Sequence, residues 1–149
     1  MKAKVWPGTG GAFAGVVDTA RELLEAWDAH DGARAAALCA PDFEGTDVAQ
    51  TAVHRGPEGM AGHIEHYLEA FPDLTVSIDD VVASGERVAL LWTLRGSHRG
   101  RLMGIPPTGK AVTVQGVALL RLQCGAVQHL FFMWDVARLL REIGLLPEL

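Results

Sequence analysis

From Phe13 onward, Val16, Val17, Ala20, Leu23, Leu24 and Trp27 recur at three- and four-residue spacing, with Asp18, Arg21, Glu22 and Glu25 between them. That stripe is the signature of an amphipathic helix and predicts one over 13–29. Asp31-Gly32 breaks it. The Ala-rich run 33–40 predicts a second, short helix ended by Pro41. Segments 43–47 and 52–55 read as two short extended pieces around a turn at Gln50-Thr51. Gly56-Pro57-Glu58 then opens a third helix, with Met60, Ile64, Tyr67, Leu68 and Phe71 along one side and Pro72 as its stop.

After Pro72 the period drops from near four to two. Leu74, Val76 and Ile78 alternate with Thr75, Ser77 and Asp79, and Ser84-Gly85-Glu86 turns the chain into Val88, Leu90, Trp92 and Leu94. The residues between these, Ala89, Leu91 and Thr93, are also largely apolar. A strand of this kind is covered on both faces, by helices on one and by another subunit on the other. A loop over 99–109 leads to a long strand over 111–123, a tight turn at Cys124-Gly125, a returning strand over 127–134, and a closing helix carrying Val136, Leu139, Leu140 and Ile143 that ends at Gly144. Helices first and an antiparallel meander afterwards predict an α+β fold: a curved sheet with three N-terminal helices on its concave face and a short C-terminal helix. Residues 1–12, rich in Gly with one Pro and few apolar anchors, read as a flexible leader to a single domain over 13–149.

Composition narrows the function classes. With 149 residues, 49% hydrophobic and 21% charged, the chain is sized for one core and neither disordered nor disulfide-built. A net charge of −5 and 13 scattered Lys and Arg argue against nucleic acid. No apolar run reaches membrane-spanning length and the N-terminus lacks a signal-peptide core, so the expectation is a soluble cytoplasmic protein. Cys39 and Cys124 have no ligand spacing and read as buried small hydrophobes. His63 and His66 lie three residues apart with His54 nearby, but no H-E-x-x-H pattern accompanies them, so a solvated helix face is expected and no metal. GTGG at 8–11 and GIPPTG at 104–109 do not build a phosphate loop, and no cofactor is implied.

Strand parity groups the candidate chemistry. Val127, His129, Phe131, Met133 and Asp135 share one face of the last strand, and Val88, Leu90, Trp92, Leu94, Gly96 and His98 one face of an earlier one. If both faces point inward, His98, His129 and Asp135 surround a floor of Trp92, Phe131 and Met133. Burial there would raise the Asp135 carboxyl toward the range of a useful base, while a histidine needs no adjustment. Asp at a strand-to-helix junction is equally a helix N-cap. Trp27 and His30 at the end of the first helix, and His63, His66 and Tyr67 in the third, are placed to close the mouth. Asp47 is a second carboxylate able to orient a histidine or a water.

The string WTLRGSHRGRLMGIPPTGK, preceded by FPDL at 71–74 and followed by MWDVARLLREIG, resembles the SnoaL-like polyketide cyclases, whose fold is the nuclear-transport-factor-2-like cone. Gly96, His98 and Gly100 match G-x-H-x-G, residues 104–109 match G-x-P-x-T-G, and Trp134-Asp135 matches W-D. The resemblance implies that Asp135, at the end of the last strand, is the acid/base of an aldol ring closure. A His and a Gln from the preceding strand assist in those cyclases. Here that strand offers Gln115 and no histidine, so His98 or His129 would stand in. Relatives on the same cone are hydroxylation partners, epoxide hydrolases, isomerases and pericyclic catalysts, and fold alone does not choose among them.

The expectation is a cofactor-independent cyclase of secondary metabolism acting on a hydrophobic, carbonyl-rich small molecule, with Asp135, His98 and His129 catalytic. Trp27, His30, Asp47, Tyr67, Trp92, Gln115, Phe131 and Met133 would bind the substrate. The alternatives are an epoxide hydrolase or isomerase, or a carrier or oxygenase accessory subunit without catalysis. A homodimer or higher oligomer is implied.

Overall fold

A computed structural model describes residues 4, 5 and 14–148. The elements are β1 (Lys4–Val5), α1 (Ala14–Asp28), α2 (Gly32–Ala37), β2 (Cys39–Asp47), β3 (His54–Arg55), α3 (Gly56–Ala70), β4 (Thr75–Ser84), β5 (Arg87–Ser97), β6 (Ala111–Gln123), β7 (Ala126–Trp134) and α4 (Val136–Glu142). One curved sheet in the order β1-β4-β5-β6-β7-β2-β3 wraps the three N-terminal helices, so the α+β cone expected from the sequence is the observed architecture. Of the supposed leader, Lys4 and Val5 pair in parallel with Asp80 and Val81 of β4. The rest of residues 1–12 lies outside the described residues.

The meander β4 to β7 is antiparallel throughout, and β2 joins β7 in parallel. That crossover sets Asp47, at the end of β2, across from Phe132. The core forms where the inward residues of β5 and β6, Val88, Leu90, Trp92 and Leu94 with Val112, Val114, Ala118 and Leu120, meet Leu23, Leu24 and Trp27 of α1 and Met60, Ile64 and Tyr67 of α3. Burying these apolar surfaces stabilises the cone at roughly 25 cal/mol per Å².

Two segment boundaries differ from the expectation. The second helix stops at Ala37, and β2 already begins at Cys39, so Pro41 lies within a strand. It is tolerated because the β2–β7 register shifts between Cys39 and Glu44, where no regular ladder bond is required of it. Cys124 is exposed in the β6–β7 turn, with a positive φ of 51°, whereas Cys39 is buried and burial pushes its thiol up to about 12.

The consequential difference lies in β7. Leu122 pairs with Val127 but Arg121 pairs with His129, so one extra residue, Gln128, is accommodated in β7. A strand alternates faces with period two, so a single inserted residue inverts everything after it. Val127 faces the core as expected, but beyond the bulge the inward residues are Leu130, Phe132 and Trp134.

Candidate active site

The last residue of β2 holds the centre of the site. Asp47 is fully buried, and its Oδ1 accepts from the backbone N–H of Ala49 at 2.8 Å, a local turn that ends the strand and aims the carboxylate. Its Oδ2 accepts from His63 Nε2 at 2.8 Å and from the Tyr67 hydroxyl at 2.6 Å. His63 and Tyr67 are one turn apart on α3, so a single helix face delivers both donors. From β7, Trp134 Nε1 reaches Asp47 Oδ1 at 3.3 Å and the Tyr67 oxygen at 3.1 Å.

Burial alone would raise the Asp47 carboxyl, but the hydrogen bonds from His63, Tyr67 and Ala49 outweigh it and hold the group below its usual 3.8. Asp47 is therefore an anion. Because a carboxylate only accepts, His63 Nε2 carries the proton of this hydrogen bond. Burial, followed by the Asp47 charge, raises Tyr67 far above the ordinary phenol value, so it stays a donor.

Aromatic rings fix the imidazole. His54 stacks on His63 at 4.4 Å, and Trp27 and Phe132 meet it edge to face at 4.9 and 5.1 Å. His54 in turn bonds Gln50 through Nε2 at 2.9 Å. Beside this cluster lie two adjoining narrow cavities, with free volumes of about 0 and 10 Å³, that share Trp92, Leu94 and Phe132. Trp27 borders one, and Tyr67 and Trp134 border the other. The arrangement is an oriented carboxylate–imidazole pair with a protonated phenol; Trp27, Tyr67 and Phe132, which pack against the imidazole, border the narrow apolar chamber, while Asp47 and His63 lie behind them. Among the described residues no group of three or more His, Cys, Asp or Glu is gathered to hold a metal ion.

The family model of SnoaL-like polyketide cyclases matches residues 17–143. The chain belongs to that family. Similar solved structures include AclR of Streptomyces galilaeus, a hydroxylase candidate, at 29% identity over 91% of this chain and 89% of that one, with a TM-score of 0.78. IdmH of Streptomyces antibioticus, a polyketide cyclase candidate, is 28% identical over 87% of this chain and 98% of its own, with a TM-score of 0.75. A protein of Catenulispora acidiphila with a ketosteroid isomerase-like fold, 19% identical over 87% and 94% with a TM-score of 0.75, shares the fold. Among curated proteins none matches.

Of the site residues expected in this SnoaL-like chain, Tyr67, Trp27 and Trp92 line the chamber, and Asp47 lies behind it, bonded to Tyr67. Asp135 does not: it is exposed and caps α4, its Oδ1 accepting from the backbone N–H of Arg138 at 2.9 Å. The bulge at Gln128 is the reason, since it turns Trp134 inward and so its neighbour outward. The same inversion puts His129, Phe131 and Met133 on the outer face, with Met133 48% exposed. His129 there lines a shallow groove with Arg87, Leu119 and Arg121. Gln115 is exposed on that face of β6 as well.

His30 lies at the surface just after α1, with φ of 58°, and donates from Nε2 to the Leu74 carbonyl at 2.7 Å, tethering the helix to the start of β4. His98 is buried with its ring 5.9 Å from Phe71, and its Nδ1 accepts from the Thr108 N–H at 3.3 Å. Burial holds its pKa below the usual value. It clasps the two ends of the β5–β6 loop, and the flanking glycine serves the same purpose: a Cβ on Gly100 would stand 1.8 Å from the Glu69 carbonyl oxygen. The G-x-H-x-G motif is thus a loop anchor against the end of α3.

His63, expected on a solvated helix face, is buried, and Phe132 and Trp134 are not among the expected site residues. A helix-face reading that stops at Met60, Ile64, Tyr67 and Phe71 leaves His63 out, although it precedes Tyr67 by one turn. Phe132 and Trp134 lie in a run whose two faces are equally apolar, so parity offered no choice between them.

Proposed function

We propose that this protein is a cofactor-independent polyketide cyclase that closes a ring by intramolecular aldol addition, with the Asp47–His63 pair as its acid/base. The observation that carries the proposal is the fully buried Asp47 carboxylate holding His63 at 2.8 Å beside an apolar chamber, in a chain of this family. His63 Nδ1 removes an acidic proton from carbon between two carbonyls. Asp47 fixes the tautomer and stabilises the imidazolium. The enolate carbon then adds to the acceptor carbonyl carbon, its π pair becomes an alkoxide, and the imidazolium returns the proton to that oxygen. No mass is gained or lost.

The test is turnover of the carbonyl-rich intermediate made by biosynthetic enzymes encoded nearby. An isomeric cyclic product with the native protein, lost in Asp47→Asn and His63→Gln, is expected; an undiminished rate in Asp47→Asn overturns the assignment. A second reading is favoured by the likeness to the AclR hydroxylase candidate: the same chamber would serve an oxygen-inserting or water-adding reaction. A product heavier by one oxygen or one water, labelled from heavy-oxygen water or gas, would select it.

Two further parts of the reading concern context. The outer sheet face exposes Val82, Leu91, Leu119 and Met133, each 38–48% accessible, which supports packing on a second copy of the chain. A role in cytoplasmic secondary metabolism, such as antibiotic biosynthesis, goes with the cyclase assignment.

A further inference from the structure

Two indole N–H groups in the chamber wall lack partners. Trp27 Nε1 and Trp92 Nε1 are buried, and neither makes a hydrogen bond among the described residues. The third indole of the core, Trp134, bonds both Asp47 and Tyr67, so the fold does pair such groups where an acceptor is at hand. A buried donor left unpaired costs about what a lost hydrogen bond costs, and each one in a native protein calls for a reason.

Trp92 is the more telling of the two. It is 2% exposed and borders both cavities. Its ring stacks on Phe132 at 4.9 Å and 15°, and Phe132 meets the His63 ring at 5.1 Å, so one phenyl separates this donor from the acid/base pair. The indole is also held in place from below. Gly116, directly paired with Trp92, leaves room for it: a Cβ there would stand 2.4 Å from Trp92 Cζ2, on the ring edge next to the carbon that bears Nε1. Asp47, Tyr67 and Trp134 already satisfy one another, and Leu24, Val76, Leu94 and Val114 add no acceptor side chain to the walls. No side chain lining the cavities satisfies the indole.

We propose that Trp92 Nε1 is the hydrogen-bond donor to the ligand oxygen that gains negative charge, with Trp27 Nε1 as a second donor for another carbonyl of the same molecule. The chamber would then select apolar skeletons carrying at least two carbonyl oxygens. This rests on the chamber being the substrate site and on a ligand widening its two narrow cavities. Placing a fixed donor at an oxygen that becomes alkoxide or enolate is electrostatic stabilisation aimed at the transition state, and an N–H already desolvated needs no reorganisation to supply it.

The test uses 1-tetralone and tetralin, one ring skeleton with and without a carbonyl, on the full chain labelled with nitrogen-15 in its indoles. Tetralone should move the Trp92 indole proton downfield saturably while the Trp134 signal, already bonded, stays in place. Tetralin should move neither. In Trp92→Phe the preference for tetralone over tetralin should fall about tenfold, the worth of one ordinary hydrogen bond, with tetralin binding as the control for altered packing. In the cyclisation assay Trp92→Phe should lower kcat about 10²-fold with KM little changed. An unmoved Trp92 signal, or an unchanged preference in Trp92→Phe, overturns the proposal. Neither readout depends on Asp47, so loss of the acid/base assignment, seen as full activity in Asp47→Asn, would be recognised separately.

Discussion

His63 Nε2 lies 2.8 Å from Asp47 Oδ2 in a site where both side chains are essentially inaccessible to water. The pair joins the end of β2 to the middle of α3, and Tyr67 and Trp134 complete the shell around the carboxylate. Every acceptor position of Asp47 is thereby used on donors that keep it ionised.

Replacing Asp47 by Asn removes the anion that sets the His63 tautomer. We expect kcat to fall about 10²–10⁴-fold, the usual worth of positioned acid–base catalysis. Stability should drop by about 1–3 kcal/mol as donors lose their acceptor. His63→Gln should match the first effect. Steady-state kinetics and urea melts of both variants check this, and equal kcat in either would contradict the dyad.

Asp135 gives the opposite profile. Asp135→Ala should destabilise by roughly 1 kcal/mol through loss of the α4 N-cap while leaving kcat within a factor of about two, and Asp135→Asn, which keeps a capping oxygen, should be close to native in both. A large kcat loss in Asp135→Asn would return this residue to the site.

Acid should weaken the fold in two stages. Burial lowers His54, His66 and His98 below 6.5. The unfolded chain therefore binds these protons first, so stability is full above about 6.5 and declines as pH falls toward the folded values. Asp47, lowered from 3.8, adds a separate loss only below that pH. Thermal melts against pH should show both limbs, with the upper one flattened in His54→Gln; a Tm constant from pH 7 to 5 would refute it.

The loop glycine is a steric requirement. Gly100→Ala sets a methyl carbon against the Glu69 carbonyl and should cost about 3 kcal/mol or more, at the upper end of overpacking effects. Denaturation midpoints of this variant and of Gly104→Ala, whose Cβ meets nothing within 4 Å, separate crowding from the strain of a positive φ.

The outer face offers a test of association. If a second copy covers Leu119 and Met133, Leu119→Lys with Met133→Lys should yield a 16.0 kDa particle by light scattering, with kcat per chain little changed. A native protein already at that mass would reject the dimer.

Much of this molecule is visible in its residues. The change from a near-four to a two-residue period after Pro72 carries the α+β order, and the double-sided apolar pattern of β5 marks it as central. Trp27, Tyr67 and Trp92 follow from those patterns, because a residue on the apolar side of a helix or strand is driven to the core whatever its partners are. Asp135 and His63 were not legible in the same way. An aspartate before a helix has the same local signature whether it caps or catalyses, and a histidine between Gly62 and Ile64 carries no mark of burial. What tertiary structure alone decided is which way β7 faces and what Asp47 meets. Both faces of β7 are apolar, so hydrophobicity is silent on register, and the one-residue bulge at Gln128 sets it through the period of two. The parallel β2–β7 crossover and the packing of α3 then bring Trp134, His63 and Tyr67 to one carboxylate, a meeting of residues up to 87 positions apart that no local pattern encodes.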